Sequence, residues 1–426
     1  MAAVTGATWS ADNFLKNVYI RTIQTQYVRD LVLMQNIRKG SDKVVPIQTG
    51  GAKAIWSIRT GRNGNGTASG VEDAYPSATA QSGAQPESNL KRFSKTISIT
   101  TALMDMARTD KQAFVNRYTD EMDNSIEDFK EDINRQMWLD GTGVIGVVGA
   151  IASNTSAAPT VTLDSTATHR WNPIVRPFMA HTTPRVQVYT TGAALQGTGY
   201  VSSVSLANGT IEITWDAGTP TLNVGDYIYY ELAKGKEMTG LESIVGTGDI
   251  YGITAASYPI FQAGLVRSTF EDPTETALER LRSTGAQNGA KYKFGVTTWG
   301  VQAQYGTLLT NLKRFVNTVE LKGGFDSQES PEDSFTGPMY QGVGPLIADN
   351  WCPQGVNPNT GWLVLPDTRY LFLQQTGEPK WDDADGKILK FVPGYGKYNA
   401  YWYWYAELCA DRRNTMVIHK NMNSLV

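Results

Sequence analysis

The sequence predicts an α+β chain carrying an all-β unit. Three observations lead there. An alternating strand, Ile97, Ile99, Thr101, is followed by one very long amphipathic helix. Between about 150 and 245 the charge falls and short alternating strands recur at barrel- or sandwich-like spacing. Beyond that, helices and strands interleave without βαβ regularity. The 426 residues leave room for two or three domains, and 41% hydrophobic residues suffice for real cores. With 41 Gly, 20 Tyr and 11 Trp against 19% charged residues, strands and turns are favoured over helical bundles.

Residues 1–42 carry a loose helical spacing, Phe14, Val18, Ile23, Tyr27, Leu31 and Met34, and read as an arm that needs a partner surface. Residues 43–99 read as one long β-hairpin. Val44–Ile47 and Ala54–Arg59 run out, and Leu90–Ile99 returns. Between them, Gly61 to Ser88 has almost no large apolar residue except Val71 and Tyr75. It cannot build its own core.

The helix is expected over 110–139, capped by Thr109 or Asp110 and stopped by Gly141. Phe114, Tyr118, Met122, Ile126, Phe129, Ile133 and Met137 recur every three or four residues as a single stripe. From Lys111 to Leu139 it would be about 43 Å long at 1.5 Å per residue, well above the usual three turns. Taken alone, it reads first as a core-facing helix of an ordinary α+β domain; its flanks carry any further reading.

The β-rich region has strands at Thr160–Leu163, Arg185–Tyr189, Gly199–Leu206, Ile211–Trp215 and Tyr227–Leu232, with turns at Asn208-Gly209 and Leu222–Asp226. Glycine-rich linkers bracket it at Gly141–Gly149 and Gly246–Gly252. Later come helices at Thr274–Asn288, with Leu278 and Leu281 inward, and Trp299–Leu312. Strands are expected at Lys293–Thr298 and Gly361–Leu365, a hairpin around Asp385-Gly386, an aromatic strand at Ala400–Cys409 and a last strand at Asn414–His419.

The chemistry-bearing motifs fail on context. The three histidines, His169, His181 and His419, have no metal-ligand spacing. Gly141, Gly143 and Gly146 match G-x-G-x-x-G, but they end a helix where a dinucleotide loop opens one. Trp381–Gly386 looks like a calcium loop until Gly386 is set at its sixth position. Trp381 and Val392 then fall where carboxylates belong. No catalytic, cofactor-binding or metal-binding residues are assigned, and no cofactor is expected. Cys352 and Cys409 are too few for a disulfide framework and read as free and buried. No secretory signal and no membrane-length apolar run is present. A net charge of −3 argues against general nucleic-acid affinity. The eight acids against four bases on the long helix argue the same way. The aromatic run Tyr401–Tyr405 alternates between two strand faces and reads as packing rather than a stacking site.

The order of parts, with Phe93–Gly143 (FSKTISITTALMDMARTD…EDFKEDINRQMWLDGTG) and the tail from Gly361 (GWLVLPDTRYLFLQQ) to the final strands, resembles the major capsid proteins of tailed bacteriophages, the Hong Kong 97 fold. The resemblance implies an N-terminal arm (1–42), an extended loop over a neighbouring subunit (43–99) and a peripheral domain with its spine helix (100–149, helix 110–139). It further implies an inserted all-β domain (150–245), then the rest of the peripheral domain and an axial domain (246–426). It implies no enzymatic activity but self-assembly through pentamers and hexamers into an icosahedral shell. That shell would enclose double-stranded DNA without sequence-specific binding or a membrane. The partners implied are a scaffolding protein, a portal and a decoration protein, and the place a virion capsid assembled in the host cytoplasm. Family members with a cleaved scaffolding segment carry it ahead of the arm; here the arm starts almost at Met1, so a separate scaffolding protein is expected. Intersubunit contacts are expected from Phe14, Tyr19, Trp56, Arg59, Arg62, Tyr75, Lys91, Arg92 and Phe93. Lys53, Lys91 and Lys95 lie in the loop, but no motif marks a crosslinking site. The alternatives are an encapsulin-like compartment shell and, from another class, a β-rich glycan-binding or hydrolytic protein.

Overall fold

The computed structural model describes residues 33–34, 44–46, 53–64, 79–101, 111–152, 157–166, 171–313, 339–340 and 343–425, except 172, 180, 182, 358, 378 and 384–385. Side chains at 111–123 lie outside the description, so the long helix's stripe is seen only in its second half. Thr109, Asp110, Phe14, Tyr19 and Tyr75 also fall outside the described residues.

The helix runs Lys111–Gln136. Phe129, Ile133 and Met137 are buried as the stripe requires, and Trp138 and Leu139 follow them into the core. Its end is built from several local devices. Asp140 accepts hydrogen bonds from the Thr142 N–H and hydroxyl at 2.9 and 2.6 Å. Gly141 and Gly143 take φ of +85° and +84°, a region that side chains with a Cβ avoid. The last carbonyls are met by the short helix Leu241–Ile244, whose Leu241 and Glu242 N–H groups donate to Met137 and Trp138 oxygens.

The helix packs on a sheet whose centre is the strand Lys397–Ala410. Along one side runs Lys91–Thr100, antiparallel, with Phe93 opposite Trp404 and Ile97 opposite Ala400. On the other side lie Lys390–Phe391, Lys380–Trp381 and Leu371–Gln375, the last carrying the parallel strand Val44–Pro46 at its far edge. Alternation decides which rings meet. Trp402 and Trp404 point to the helix, where Phe129 stands edge-on to Trp402 at 4.3 Å between ring centroids. Tyr401, Tyr403 and Tyr405 face the other way and stay partly exposed.

A second mixed sheet runs in the order Met339–Tyr340, Gly344–Ala348, Gly295–Thr297, Thr360–Leu365, Val417–Asn423, Leu265–Arg267. Two helices cover it, Glu275–Gln287, capped by Thr274, and Trp299–Lys313. Leu278, Leu281, Val301 and Tyr305 share a buried cluster with its strands.

Residues 144–230 form a closed antiparallel barrel of six strands. The ring order is Leu195–Ser205, Thr210–Trp215, Thr160–Leu163, Val144–Ile151, Tyr227–Tyr230, Arg185–Tyr189. Its core of Val, Ile, Leu, Phe178 and Trp215 is separate from the main one.

Two local expectations are corrected here. Most of the stretch read as a glycine-rich linker, Gly141–Gly149, belongs to the barrel's first strand, Val144–Ile151. Its Gly149 leaves the neighbouring chain room, since a Cβ there would lie 2.9 Å from Asp164 backbone atoms. Lys91–Thr100 does not return along Val44–Pro46 but pairs with Lys397–Ala410. The hairpin expected at Asp385-Gly386 has its Asp385 outside the described residues; nearby, Lys390–Phe391 pairs with Tyr398–Asn399, with Gly394 at φ +81° in the turn.

Candidate assembly surfaces

The hairpin survives in shortened form. Lys53–Ile55 pairs with Glu87–Asn89, and Ile58–Gly61 with Ser82–Ala84. Two ladders this short cannot stand alone in water, and their base is clamped to the body. Trp56 stands edge-on to Tyr251 at 5.0 Å and to Phe372 at 5.5 Å. The Glu87 N–H donates to the Tyr251 carbonyl at 2.9 Å. Tyr251 is itself fixed through its hydroxyl, which donates to the Leu408 carbonyl at 2.8 Å. Its φ is +53°, unusual for a residue with a bulky ring.

The residues expected at intersubunit contacts separate into two groups. The Phe93 ring is 7% exposed and packs against Phe129 and Trp404 of its own chain. Trp56 likewise packs on its own core. Both rings pack within their own chain, Phe93 buried and Trp56 half-buried. Arg59, Arg62, Lys91 and Arg92 keep their charges at the surface, and Lys91 donates to the Gly235 carbonyl at 3.1 Å. They lie along the hairpin and the strand that leaves it.

Sequence reasoning missed the groups that fix the barrel and the helix. Arg135, at the end of the helix, forms a buried two-pronged ion pair with Glu237 at 2.5 and 3.2 Å. Its guanidinium also lies 5.2 Å from the Tyr230 ring centroid. Tyr230 belongs to the barrel and donates to the Pro177 carbonyl. Burial pushes its hydroxyl pKa up. Asp349, fully buried, accepts from Asn134 Nδ2, Trp138 Nε1 and the Trp351 N–H, at 3.2, 2.9 and 2.8 Å. Burial pushes its carboxyl up against the pull of these donors. Asn134 in turn accepts from the Met34 N–H, which holds the described piece of the N-terminal segment to the helix. Arg135, two residues from both Ile133 and Met137, stands on the helix face opposite the apolar stripe, so the sequence pattern carries no signal that it is buried.

Cys352 and Cys409 are free and buried, and burial raises both thiols well above their ordinary pKa. Among the described residues no group of three or more His, Cys, Asp or Glu is arranged to hold a metal, and no helix is long and apolar enough to cross a membrane. With Trp402 and Trp404 in the core, the aromatic strand offers no indole face to a sugar ring.

No protein-family model matches this sequence, and no curated protein matches it. Solved structures do resemble it. A chain of the Cyanophage A-1(L) capsid asymmetric unit is 10% identical and superposes with a TM-score of 0.53, covering 97% of this chain and 98% of that one. A capsid chain of a native GTA particle is 10% identical with a TM-score of 0.47, covering 99% and 100%. The holo-SrpI encapsulin complex from Synechococcus elongatus PCC 7942 is 11% identical with a TM-score of 0.45, covering 95% and 93%. The last two superpositions are too loose to identify a fold by themselves. The first spans nearly the whole of both chains, and at that level the mixed α and β fold of this protein is the fold of the cyanophage capsid chain.

Proposed function

We propose that this chain is the major capsid protein of a tailed bacteriophage, building an icosahedral shell from pentamers and hexamers around double-stranded DNA. The observation that carries the proposal is the fold shared end to end with the cyanophage capsid chain. A hairpin too slight to be stable by itself supports it. In the Hong Kong 97 arrangement, residues 43–99 are the extended loop and 100–143 the start of the peripheral domain with its spine helix. The barrel is an insertion, and the second sheet with its two helices belongs to the axial domain. Arg59, Arg62, Lys91 and Arg92 are the contacts offered to neighbouring copies. The role is structural rather than enzymatic. A scaffolding protein, a portal and a decoration protein are the further partners, and assembly takes place in the host cytoplasm.

Weak contacts repeated over a closed shell add up, so the free subunit can remain soluble while the particle is stable. The purified chain, alone and with its scaffold, should sediment as capsomers or particles. Persistence as a monomer at high concentration under both conditions would contradict the proposal. An encapsulin-like compartment is the second reading within the same fold; the inserted barrel favours the phage.

A further inference from the structure

A groove of about 630 Å³ lies between the base of the hairpin and the body, a size usual for small-molecule sites. One wall is the hairpin strand from Ser57 to Thr60. The other is formed by Ile260, Phe261, Tyr370 and the loop that leaves the central strand at Asp411. Its charges do not balance. Arg59 donates only to the Gly61 carbonyl, at 3.5 Å. Arg412 donates to two neutral acceptors, Asn414 Oδ1 at 2.9 Å and the Asn288 carbonyl at 2.6 Å. Neither guanidinium has a carboxylate partner among the described residues, and Asp411 is the one acid on the walls. The neighbouring Arg369 is already matched by Asp367 at 2.6 Å.

Two further features define what would fit. The Arg412 guanidinium is held in place before any ligand arrives, because it lies 5.5 Å from the Tyr370 ring centroid and is tied to Asn414 and Asn288. Its Nη1 donates to no described group. A phosphate, with its several acceptor oxygens, can take two guanidinium forks at once, whereas a lone carboxylate fills one. Beside the cations is an apolar shelf. Ile260, 57% exposed, stands on the wall next to the buried Phe261. The matching ligand carries phosphate at one end and a flat, largely apolar ring at the other.

We propose that this groove binds a free nucleoside phosphate, with its phosphates between Arg59 and Arg412 and its base against Ile260. Asp411 sets the charge the ligand must outweigh, which favours a di- or triphosphate over a singly charged anion. Arg59 belongs to the hairpin and Arg412 to the body. The bound ligand therefore braces one against the other, where two short ladders give the hairpin little stiffness of its own. The site is complete within one chain, so the inference stands or falls independently of the shell-forming reading.

The test is calorimetric titration of the full-length chain with adenosine triphosphate, adenosine and inorganic pyrophosphate. The triphosphate should bind, and adenosine and pyrophosphate should each bind about tenfold more weakly or less. Arg59→Ala, a change at an exposed position, should weaken the triphosphate about tenfold, the worth of one charge-assisted pair. Arg412→Ala should do the same with the parent's circular dichroism; if it does not fold, Arg59→Ala decides alone. Lys236→Ala, an exposed cation outside the groove, should bind as the parent does. The triphosphate should also slow trypsin cleavage after Arg59 in the parent, and should not in Arg412→Ala, which keeps that cleavage site. No binding of the triphosphate, unchanged affinity in Arg59→Ala, or pyrophosphate binding as tightly as the triphosphate would overturn the proposal. So would a short DNA duplex that binds more tightly than the triphosphate and loses affinity in Arg59→Ala, or binding that leaves the trypsin rate unchanged.

Discussion

Glu407 sits fully buried on the central strand, with one oxygen accepting from the Thr239 N–H at 2.8 Å and the other without a partner among the described residues. Burial pushes its pKa up to about 7, against the pull of Thr239 and Lys91. The folded value stands above the ordinary 4.5, so the folded state holds the proton more tightly than the unfolded one. Stability from this group is therefore complete below pH 4.5, falls as pH rises towards 7, and is flat above. The total loss is up to about 3 kcal/mol at 1.36 kcal/mol per pKa unit. Glu407→Gln should unfold at higher urea than the parent at pH 8 and at nearly the same urea at pH 5; parallel curves would rule this out. Arg413 is a second buried charge, with no carboxylate opposite among the described residues. It donates to five backbone carbonyls, those of Ser243, Ile244, Gly246, Gly248 and Phe261. Burial lowers its pKa to about 10. It gathers the connector that follows the barrel and presents Tyr251 to the hairpin. Arg413→Met would strand those carbonyls, and we expect a loss of about 4 kcal/mol in chemical denaturation. Arg413→Lys, with fewer donors, should fall between it and the parent.

At the scale of elements, the barrel carries its own closed sheet and its own core. A fragment of residues 143–233 should melt cooperatively and give a dispersed amide spectrum. A fragment starting at 152 lacks the first strand, opens the ring, and should do neither. The contrast also shows what pattern reading could and could not find. The five other barrel strands alternate in hydrophobicity and were legible within a few residues. Val144–Ile151 was not, because its glycines serve close strand approach and look locally like a linker. The long helix announced itself through its stripe. The partner of Lys91–Thr100 did not, because alternation says that a strand has a wet face and a dry one and nothing about which distant strand lies beside it. The candidate contacts suffered from the same blindness. Phe93 and Trp56 look like exposed aromatics on a loop until Trp404, Phe372 and Tyr251 arrive from far along the chain. The hairpin offers a further test. Its inner residues Ile58 and Ala84 pack on the core, so replacing residues 65–78 with a two-residue turn should leave the melting transition in place. Assembly should be lost. A collapsed near-UV signal would instead assign that stretch to the fold.

For the whole molecule, the buried links tie the parts into one body. Arg135–Glu237 joins helix to barrel connector, Asp349 joins helix to second sheet, and Trp56 joins hairpin to core. What remains outward is the hairpin, the polar and tyrosine face of the central strands, and the groove at the hairpin base. Electron microscopy of particles recovered after co-expression with the scaffold is the most direct measurement. Closed shells with five-fold and six-fold capsomers, with the barrel as a distinct lobe on each subunit, are the expected result. Recovery of dispersed monomers alone, with the chain folded by circular dichroism, would contradict it.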